Sequence, residues 1–259
     1  MATLFAGIDI GSWQTKAALV DEEGKIVGLG LCRSGTDFQG AAKRSLAIAL
    51  LAGKVKREAL AYTVATGLGR ENVSFAQGTK TEISCQGKGC YHFFPEEITI
   101  VDIGGQDSKI IKLNDRGLRT AFKMNRKCAA GTGAFLEEMA RRLEIPLENL
   151  DALARGAEKN LELGSFCTVF TATEVLEKIR QGERIPNIVR GLFLSVIKRV
   201  IEMDTLPHGT LWTGGVVAHN PFLVALAEER VGAKFRIPPH PQFTCAIGAA
   251  LYARERGGE

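Results

Sequence analysis

The chain has 259 residues, 45% of them hydrophobic and 24% charged, which is typical of a globular protein with one large domain or two ordinary ones. Its net charge of +4 is small and its basic residues are scattered, so nothing indicates a nucleic-acid partner. The longest apolar stretch, residues 46–52, is far shorter than the roughly 20 residues of a membrane span, and we expect a soluble, cytoplasmic protein without a membrane partner.

The first predicted elements are two strands joined by a tight turn. Residues 1–11 lack the basic start and the small-residue cleavage site of an export signal, and they indicate a buried strand ending in Asp9-Ile10-Gly11. A second strand, KAALV, follows the glycine turn and leads into the polar turn DEEGK. Beyond this hairpin, residues 39–61 predict a helix and residues 62–66 predict a further strand.

The same hairpin occurs a second time. Residues 8–16, IDIGSWQTK, match residues 101–109, VDIGGQDSK, and the same spacing holds through the polar turn that follows. The equivalent pairs are Asp9 and Asp102, Gly11 and Gly104, Lys16 and Lys109, and Gly24 and Gly117. A duplicated hairpin with matching downstream turns indicates two related half-molecules. We place them at residues 1–95 and 96–259, with the C-terminal helix returning to the first.

The rest of the second half alternates helices with strands. Residues 133–143, 171–181 and 188–203 predict helices. Residues 211–220, LWTGGVVAHN, predict an apolar strand and the glycine pair Gly214-Gly215, with a helix from about Pro221. Together with the first half, this pattern indicates an α/β protein with mixed sheets.

The glycine turn after each buried strand suits a phosphate group. Glycine lets backbone N–H groups approach an anion without a Cβ in the way, and an Asp at the strand end can hold Mg²⁺ through water. Either hairpin alone is more often a plain turn with a capping Asp. Two copies, together with a glycine pair that can approach an adenosine, favour a site for ATP or ADP with Mg²⁺.

Two cysteines stand just before predicted helices. Cys128 precedes the helix of AFLEEMARRL, and Cys167 precedes a helix that Thr171 or Thr173 could cap. A helix start favours a thiolate and an anionic cluster that the thiolate binds. A lone cysteine is more often a buried thiol, but this pair invites a ligand role. Two thiolates do not complete a four-thiolate iron–sulfur or zinc site, and a symmetric dimer would supply four.

The remaining cysteines and the other histidines form no metal-like grouping. We interpret Cys85 and Cys90, in SCQGKGCYHF, as loop thiols, with an auxiliary metal or redox pair as the alternative. The residues expected in the interior are Cys32 and Cys245, and those expected in loops are His92, His208 and His240.

The hairpins and the glycine pair resemble the actin, Hsp70 and sugar-kinase superfamily. Its two phosphate motifs match Asp9-Ile10-Gly11 and Asp102-Ile103-Gly104-Gly105, and its adenosine motif matches Gly214-Gly215. The resemblance covers nearly the whole chain. It implies an actin-like ATPase (ribonuclease H-like) fold of the α/β class, in which two βββαβα-type subdomains enclose a nucleotide cleft.

Longer motifs resemble one family within this superfamily. NRKCAAGTGAFLE, CTVFTATEV, ATGLGR and DIGGQDSK are similar to the activators, or component A, of 2-hydroxyacyl-CoA dehydratases. That family includes the ATPase subunits of benzoyl-CoA reductase and the reductases of double-cubane cluster proteins. The resemblance implies a homodimer whose single [4Fe-4S] cluster is held by Cys128 and Cys167 of both chains. It also implies ATP hydrolysis that drives a low-potential electron from ferredoxin or flavodoxin to a partner metalloenzyme, a dehydratase or a double-cubane protein.

The resemblance also assigns roles to single residues. Those implied in catalysis are Asp9, Asp102, Gln106 and Asp107. Those implied in nucleotide binding are Gly11, Ser12, Trp13, Gln14, Thr15, Lys16, Gly104, Gly105, Gly131, Thr132, Gly133, Gly214, Gly215, His219 and Gln242. Trp13 and His219 depart from the family pattern, which more usually has a small polar residue and Gln at these positions.

Two other functions are compatible with the nucleotide motifs. A small-molecule kinase of the same superfamily would transfer phosphate to a sugar or a carboxylic acid, but it gives no reason for Cys128 and Cys167. A non-catalytic nucleotide-gated assembly or sensor protein is the third possibility. Steady ATP turnover with electron delivery to an acceptor would distinguish a reductase from both.

Overall fold

The computed structural model describes residues 3–125, 128–163 and 167–257, and these residues form two compact units. The first unit comprises Met1–Ile98, Leu113–Thr120 and Phe243–Glu259, and the second comprises Thr99–Lys112 and Ala121–Gln242. The boundary between the two half-molecules, which the sequence places between residues 95 and 96, stays a prediction.

Strands and helices alternate through both units. The strands are β1 (Leu4–Ile10), β2 (Gln14–Val20), β3 (Ile26–Arg33), β4 (Leu60–Gly67), β5 (Gly78–Thr79), β6 (Ile98–Ile103), β7 (Ser108–Leu113), β8 (Arg119–Asn125) and β9 (Leu211–Thr213). The helices are α1 (Phe38–Gly53), α2 (Glu82–Phe93), α3 (Gly133–Arg142), α4 (Leu150–Arg155), α5 (Thr168–Arg180), α6 (Ile185–Met203), α7 (Gly215–His219), α8 (Pro221–Val231) and α9 (Thr244–Gly257). Short 3₁₀ turns lie at Arg57–Ala59, Arg70–Asn72 and Leu147–Asn149.

The first unit is built on a mixed sheet with the strand order β3-β2-β1-β4-β5. β1 pairs antiparallel with β2 and parallel with β4, and every residue of β1 is buried. Helix α1 packs against β2 and β3, whereas α9 packs against β1, β2 and β4. The apolar N-terminal run therefore forms the central strand, and the ends of β1 and β4 lie side by side.

The second unit has a sheet with the strand order β8-β7-β6-β9, in which β6 and β9 are parallel. One large apolar core joins this sheet to the helices, and its largest fully buried side chains include Trp212, Phe135 and Phe193. The arrangement again places the ends of two parallel strands next to each other, here at Asp102 and Thr213.

The polar turns after the two hairpins confirm the internal duplication. Asp21 and Asn114 each accept hydrogen bonds from two backbone N–H groups of the turn that follows them. Gly24 and Gly117 both have a positive φ, 84° and 71°, which glycine adopts without steric strain. The repeated sequence thus folds into the same local conformation twice.

Helix α2 packs on α9 through glycines. A Cβ at Gly89 would lie 1.9 Å from the Thr244 carbonyl oxygen, and one at Gly248 would lie 1.8 Å from the Cys85 carbonyl oxygen. The Gln86 side-chain amide donates to the Thr244 hydroxyl at 2.8 Å within this contact. The two backbones can approach this closely only because both positions lack a side chain.

Three predicted helices differ from the observed ones by three residues or more at one bound, and one of them, α6, begins at Ile185 instead of residue 188. The helix expected over residues 39–61 ends at Gly53, because Lys54 is left-handed and its N–H donates to the Leu50 and Leu51 carbonyls. Helix α5 begins at Thr168, before the predicted start. The Thr171 hydroxyl does not cap the helix but donates to the Cys167 carbonyl at 3.0 Å.

The expected loop around Cys85 and Cys90 is wrong, because both cysteines and His92 lie in α2. Both thiols are fully buried, and burial raises the pKa of Cys85 to about 12. The C-x4-C spacing places the two cysteines more than one helical turn apart. Cys245 is interior, as expected, and Cys32 is partly exposed with its thiol donating to the Ala41 carbonyl.

The part of the chain that the structure describes contains no helix with the length and apolar character that a membrane crossing requires.

Candidate functional site

The first hairpin places a carboxylate and an ammonium group side by side at the end of β1. Asp9 is 5% exposed, and its partner across the strand pair is Lys16, whose Nζ lies 3.3 Å from Asp9 Oδ2. The turn between them closes through Gly11, whose N–H donates to the Gln14 carbonyl at 3.2 Å. A Cβ on Gly11 would lie 2.8 Å from that carbonyl oxygen, so the turn requires glycine.

A buried serine, Ser34, is hydrogen-bonded to this turn. Its hydroxyl donates to the Gly11 carbonyl at 2.6 Å and therefore accepts from the Thr15 hydroxyl, 2.9 Å away. Its backbone N–H donates to the Trp13 carbonyl at 3.0 Å. The four hairpin residues from Gly11 to Gln14 are thereby tied to the end of β3, with Ser12 half-buried and Trp13 exposed.

Trp13 forms the exposed tip of the hairpin. Its side chain is 43% exposed, and the Arg33 guanidinium carbon lies 5.1 Å from the centroid of its ring. This cation–π contact holds the indole against the Arg33 side chain.

The second hairpin repeats this arrangement and adds a second carboxylate. Lys109 Nζ lies 3.3 Å from Asp102 Oδ2, as in the first hairpin, and 2.6 Å from Asp107 Oδ1. The Gly104 N–H donates to the Asp107 carbonyl at 2.9 Å, which matches the turn bond between Gly11 and Gln14. Gln106 is exposed at the tip.

The duplication extends to the fourth strand of each half. Thr66 faces Asp9 across β4 and β1, and Thr213 faces Asp102 across β9 and β6. The Thr213 hydroxyl donates to Asp102 Oδ1 at 3.1 Å. Each threonine precedes a glycine of positive φ, and a Cβ on either glycine would lie within 2.7 Å of the neighbouring Asp Oδ1. Both aspartates therefore sit in pockets that glycine keeps open.

The predicted adenosine motif joins this second group. Gly214 has a φ of 97° and donates its N–H to the Pro241 carbonyl, which brings the segment of Gln242 to the glycine pair. Gln242 Oε1 is buried and has no hydrogen-bond partner among the described residues. Gly215 begins α7 with open space around it. His219 is exposed and lies at the end of α7 opposite to the glycine pair.

Helix α3 begins directly on the second phosphate turn. The N–H groups of Gly133 and Ala134 donate to the carbonyls of Gly104 and Gly105, at 2.9 and 2.7 Å. Before the helix, Gly131 has a φ of 83°, and the buried Thr132 donates its hydroxyl to the Ala129 carbonyl at 2.6 Å. Of the predicted nucleotide-binding residues Gly131, Thr132 and Gly133, the last therefore lies against Gly104 and Gly105.

The two candidate ligand cysteines precede neighbouring helices, Cys128 five residues before α3 and Cys167 at the N-cap of α5. Cys128 is exposed in the loop before α3, where Asn125 Nδ2 donates to its carbonyl, and Cys167 is partly exposed at the N-cap of α5. Helices α3 and α5 pack against each other, and neither start is capped by a side chain. The flanking motif residues 126–127 and 164–166 lie outside the described residues.

The donor atoms fit the groups that the sequence implies. The carboxylates of Asp9, Asp102 and Asp107 are the hard oxygen ligands that Mg²⁺ uses together with nucleotide phosphates. The buried oxygen of Gln242 needs a donor, which an adenosine can supply. Thiols suit iron, but the described residues gather no three metal-ligating side chains.

Three supporting residues were not predicted from the sequence. The sequence did contain evidence for a role of Lys109, since it aligns with Lys16 in the repeat. Thr213 had a weaker one, because the dipeptide Thr-Gly occurs at the end of both fourth strands. Ser34 had none, because only the fold brings the end of β3 behind the first turn.

Comparison with known proteins gives close full-length relatives. A family model described as the BadF/BadG/BcrA/BcrD ATPase family matches residues 6–253. The activator of lactoyl-CoA dehydratase from Anaerotignum propionicum is 42% identical over 252 residues. The alignment covers 96% of this chain and 96% of that protein.

Solved structures agree with these sequence matches. Component A of the (R)-2-hydroxyglutaryl-CoA dehydratase of Acidaminococcus fermentans is 35% identical, with a TM-score of 0.94 over 100% of both chains. The activator of the 2-hydroxyisocaproyl-CoA dehydratase from Clostridium difficile, with bound ADPNP, is 35% identical with a TM-score of 0.91, over 100% of this chain and 96% of that one.

A more distant likeness defines the fold class. A ROK family glucokinase from Streptomyces griseus is only 15% identical but has a TM-score of 0.59 over 97% of this chain and 99% of that one, which shows a shared fold alone. The predicted actin-like α/β fold and the resemblance to the dehydratase activators are both confirmed. The chain, an ATP-hydrolysing enzyme, belongs to the BadF/BadG/BcrA/BcrD ATPase family.

Proposed function

We propose that this ATPase is a reductase that uses ATP hydrolysis to deliver a low-potential electron to a partner metalloenzyme. In this proposal Cys128 and Cys167 of two identical chains hold one [4Fe-4S] cluster, and the two hairpins bind MgATP. The observation that carries it is a pair of cysteines that precede two contacting helices: exposed Cys128, five residues before α3, and partly exposed Cys167, the N-cap of α5.

The setting of these thiols supports a ligand role. Cys85, Cys90 and Cys245 are buried, and the Cys32 thiol donates to a carbonyl, whereas Cys128 is exposed. Cys167 is the N-cap residue of α5, whose start has no side-chain cap, and the positive end of that helix dipole stabilises a thiolate and a negatively charged cluster. A bound cluster would supply the one-electron carrier that the amino acids themselves lack.

The hydrogen bonds from α3 to the second phosphate turn support a coupling of nucleotide and cluster. Because the Gly133 and Ala134 N–H groups are bonded to Gly104 and Gly105, a shift of that turn moves the start of the helix that follows Cys128. Such coupling requires that the ATP and ADP states favour different positions of the turn. The turn is well placed for this, since it carries the carboxylate of Asp107.

We assign the hydrolytic roles to the two hairpins. Lys16 and the N–H groups of the Gly11 turn would bind phosphate, and Asp9 and Asp102 would hold Mg²⁺ through water. Gln106 and Asp107 would orient the attacking water. The other nucleotide contacts would come from the residues predicted above, including Thr15, Gln242 and the glycine pair of α7.

The relatives support the choice of partner. Proteins named as activators of lactoyl-CoA and 2-hydroxyglutaryl-CoA dehydratases share 42% and 36% of their residues with this chain. We therefore propose a dehydratase of this type as the electron acceptor, with a double-cubane protein as the alternative. A cytoplasmic ferredoxin or flavodoxin would reduce the homodimer. A kinase reaction finds no specific support, because the glucokinase likeness concerns the fold alone.

The proposal is tested by metal analysis of anoxically purified protein. We expect about four irons per two chains, and we expect Cys128→Ser and Cys167→Ser to lose this iron while nucleotide binding is kept. Cys32→Ser is the matched control, since Cys32 is also partly exposed but lies at the end of a strand, and its iron content should not change. Stoichiometric zinc, or iron retained by either ligand variant, would contradict the proposal.

A further inference from the structure

The second phosphate turn contains a buried lysine between two carboxylates. Lys109 is 1% exposed, and its single ammonium group contacts both Asp102 and Asp107. We propose that Lys109 is a positioning residue that takes the place of a metal ion between these carboxylates and keeps the turn free of metal until a nucleotide delivers it. The inference rests on the ATPase activity and not on the proposed electron transfer.

The two turns differ in the number of carboxylates around their lysine. Lys16 occupies the position equivalent to Lys109 and lies at the same distance, 3.3 Å, from its strand-end aspartate. The residue equivalent to Asp107 is Gln14, so the first group has one carboxylate and one ammonium and is neutral. The second group has two carboxylates and one ammonium, and it keeps one negative charge.

The hydrogen bonds divide the two carboxylates into an inner and an outer one. Both oxygens of Asp102 are engaged inside the protein, Oδ2 by Lys109 and Oδ1 by Thr213. The Asp107 side chain is 26% exposed, and only its Oδ1 has a side-chain partner among the described residues. Asp102 is therefore fixed in place, whereas Asp107 is partly exposed and its Oδ2 has no side-chain partner among the described residues.

Metal competition follows from this geometry. Two neighbouring carboxylates are a common binding unit for a divalent cation, and a buried pair requires a counter-charge. Lys109 supplies that charge from within the chain, at the place where a cation would bridge the two groups. With Lys109 present, the remaining charge of one is too small to hold Mg²⁺ unless nucleotide phosphates add ligands.

The test is a titration with Mn²⁺ alone, followed by electron paramagnetic resonance, on the full chain without nucleotide, cluster or partner. Lys109→Met should bind Mn²⁺ at least about tenfold more tightly than the parent protein, since it exposes both carboxylates to the metal. Lys109→Met/Asp107→Asn should lose the gain. Lys16→Met is the matched control, and it should gain no Mn²⁺ affinity because Gln14 leaves only one carboxylate there. Unchanged Mn²⁺ affinity of folded Lys109→Met would overturn the proposal.

A second variant tests the same idea if Lys109→Met does not fold. Asp107→Asn keeps the ion pair of Lys109 with Asp102 and gives the second turn the neutral charge of the first. We expect the affinity for MnATP to fall at least about tenfold while the affinity for metal-free ATP is kept or increases. An equal loss of both affinities would indicate a merely structural role and would contradict the proposal. Neither titration reads electron transfer, so failure of the reductase proposal would leave these outcomes unchanged.

Discussion

Ser34 is the residue on which the shape of the first phosphate turn depends. It is fully buried and bonds to Gly11, Trp13 and Thr15 at once, so the turn cannot shift without breaking these bonds. A carbonyl held in this way orients the peptide unit that follows it, and hence the N–H of Ser12. Phosphate binding by backbone groups requires such prior order, since the bonds are short and directional.

Replacement of this serine should weaken nucleotide binding more than it weakens the fold. We expect Ser34→Ala to reduce the affinity for ADP about tenfold, because the loss of one or two hydrogen bonds costs roughly 1.5 kcal/mol in the order of the turn. Isothermal titration with ADP measures the effect. Ser45→Ala is the control, since Ser45 is also fully buried but bonds within α1 to the Ala42 carbonyl. Equal losses of ADP affinity in both variants would contradict the role of Ser34.

The cysteines should differ in reactivity according to their surroundings. Burial holds the pKa of Cys85 at about 12, so its thiol stays protonated through the whole range from pH 7 to about 10. Iodoacetamide should therefore label exposed Cys128 in the iron-free protein and leave Cys85 unlabelled, even as the pH rises to 9.5. Peptide mass analysis reads each site, and urea-unfolded protein is the control. Rapid labelling of Cys85 in the folded chain would contradict this account.

At the scale of elements, the contact between α2 and α9 depends on two glycines. An added Cβ at Gly89 or Gly248 meets backbone atoms, which cannot rotate away as a side chain can. We expect Gly89→Ala to lower the free energy of unfolding by about 3 kcal/mol, at the upper end of the usual cost of overpacking. Thermal unfolding with calorimetry measures it.

Gly156→Ala is the control for this prediction. A Cβ at Gly156 would lie 3.5 Å or more from its neighbours, which is ordinary van der Waals contact, and its φ is −77°. Its effect should stay within about 0.5 kcal/mol, as for most surface positions. If Gly89→Ala were as mild as Gly156→Ala, the two helices would not be packed backbone to backbone.

The sequence predicted the existence of the helices and strands better than the residues at which they begin and end. The hairpins, β4 and α3 follow from apolar runs and glycine turns, so their positions were predicted to within a few residues. The end of α1 was missed because the stop is a left-handed Lys54, a residue type without a turn preference. Ser34 was missed for a different reason, since its contacts link residues far apart in sequence. Local pattern predicts local structure, whereas a contact between distant segments is visible only in the fold.

At the scale of the whole molecule, duplication has given two similar turns with different charges. The order of the first four strands, the turn bonds and the lysine–aspartate pairs correspond in the two halves, and the first sheet has β5 in addition. One of the differences between the two turns, Asp107 in place of Gln14, adds a carboxylate to the second turn, which is also the turn bonded to α3. The two turns therefore share a backbone conformation but differ in charge, and among the described residues only the second is hydrogen-bonded to the helix that follows Cys128.

Removal of iron should divide the active molecule into single chains. If four thiolates from two chains share one cluster, then a ferrous chelator under anoxic conditions removes the bonds that join the chains. Sedimentation velocity should then show the mass falling to that of one chain, 28.0 kDa, while ADP still binds because the hairpins lie within each chain. Cys32→Ser should behave like the parent protein. A dimer that persists after complete loss of iron would show that protein contacts alone hold the two chains together, and the cysteines would then lose their proposed part in assembly.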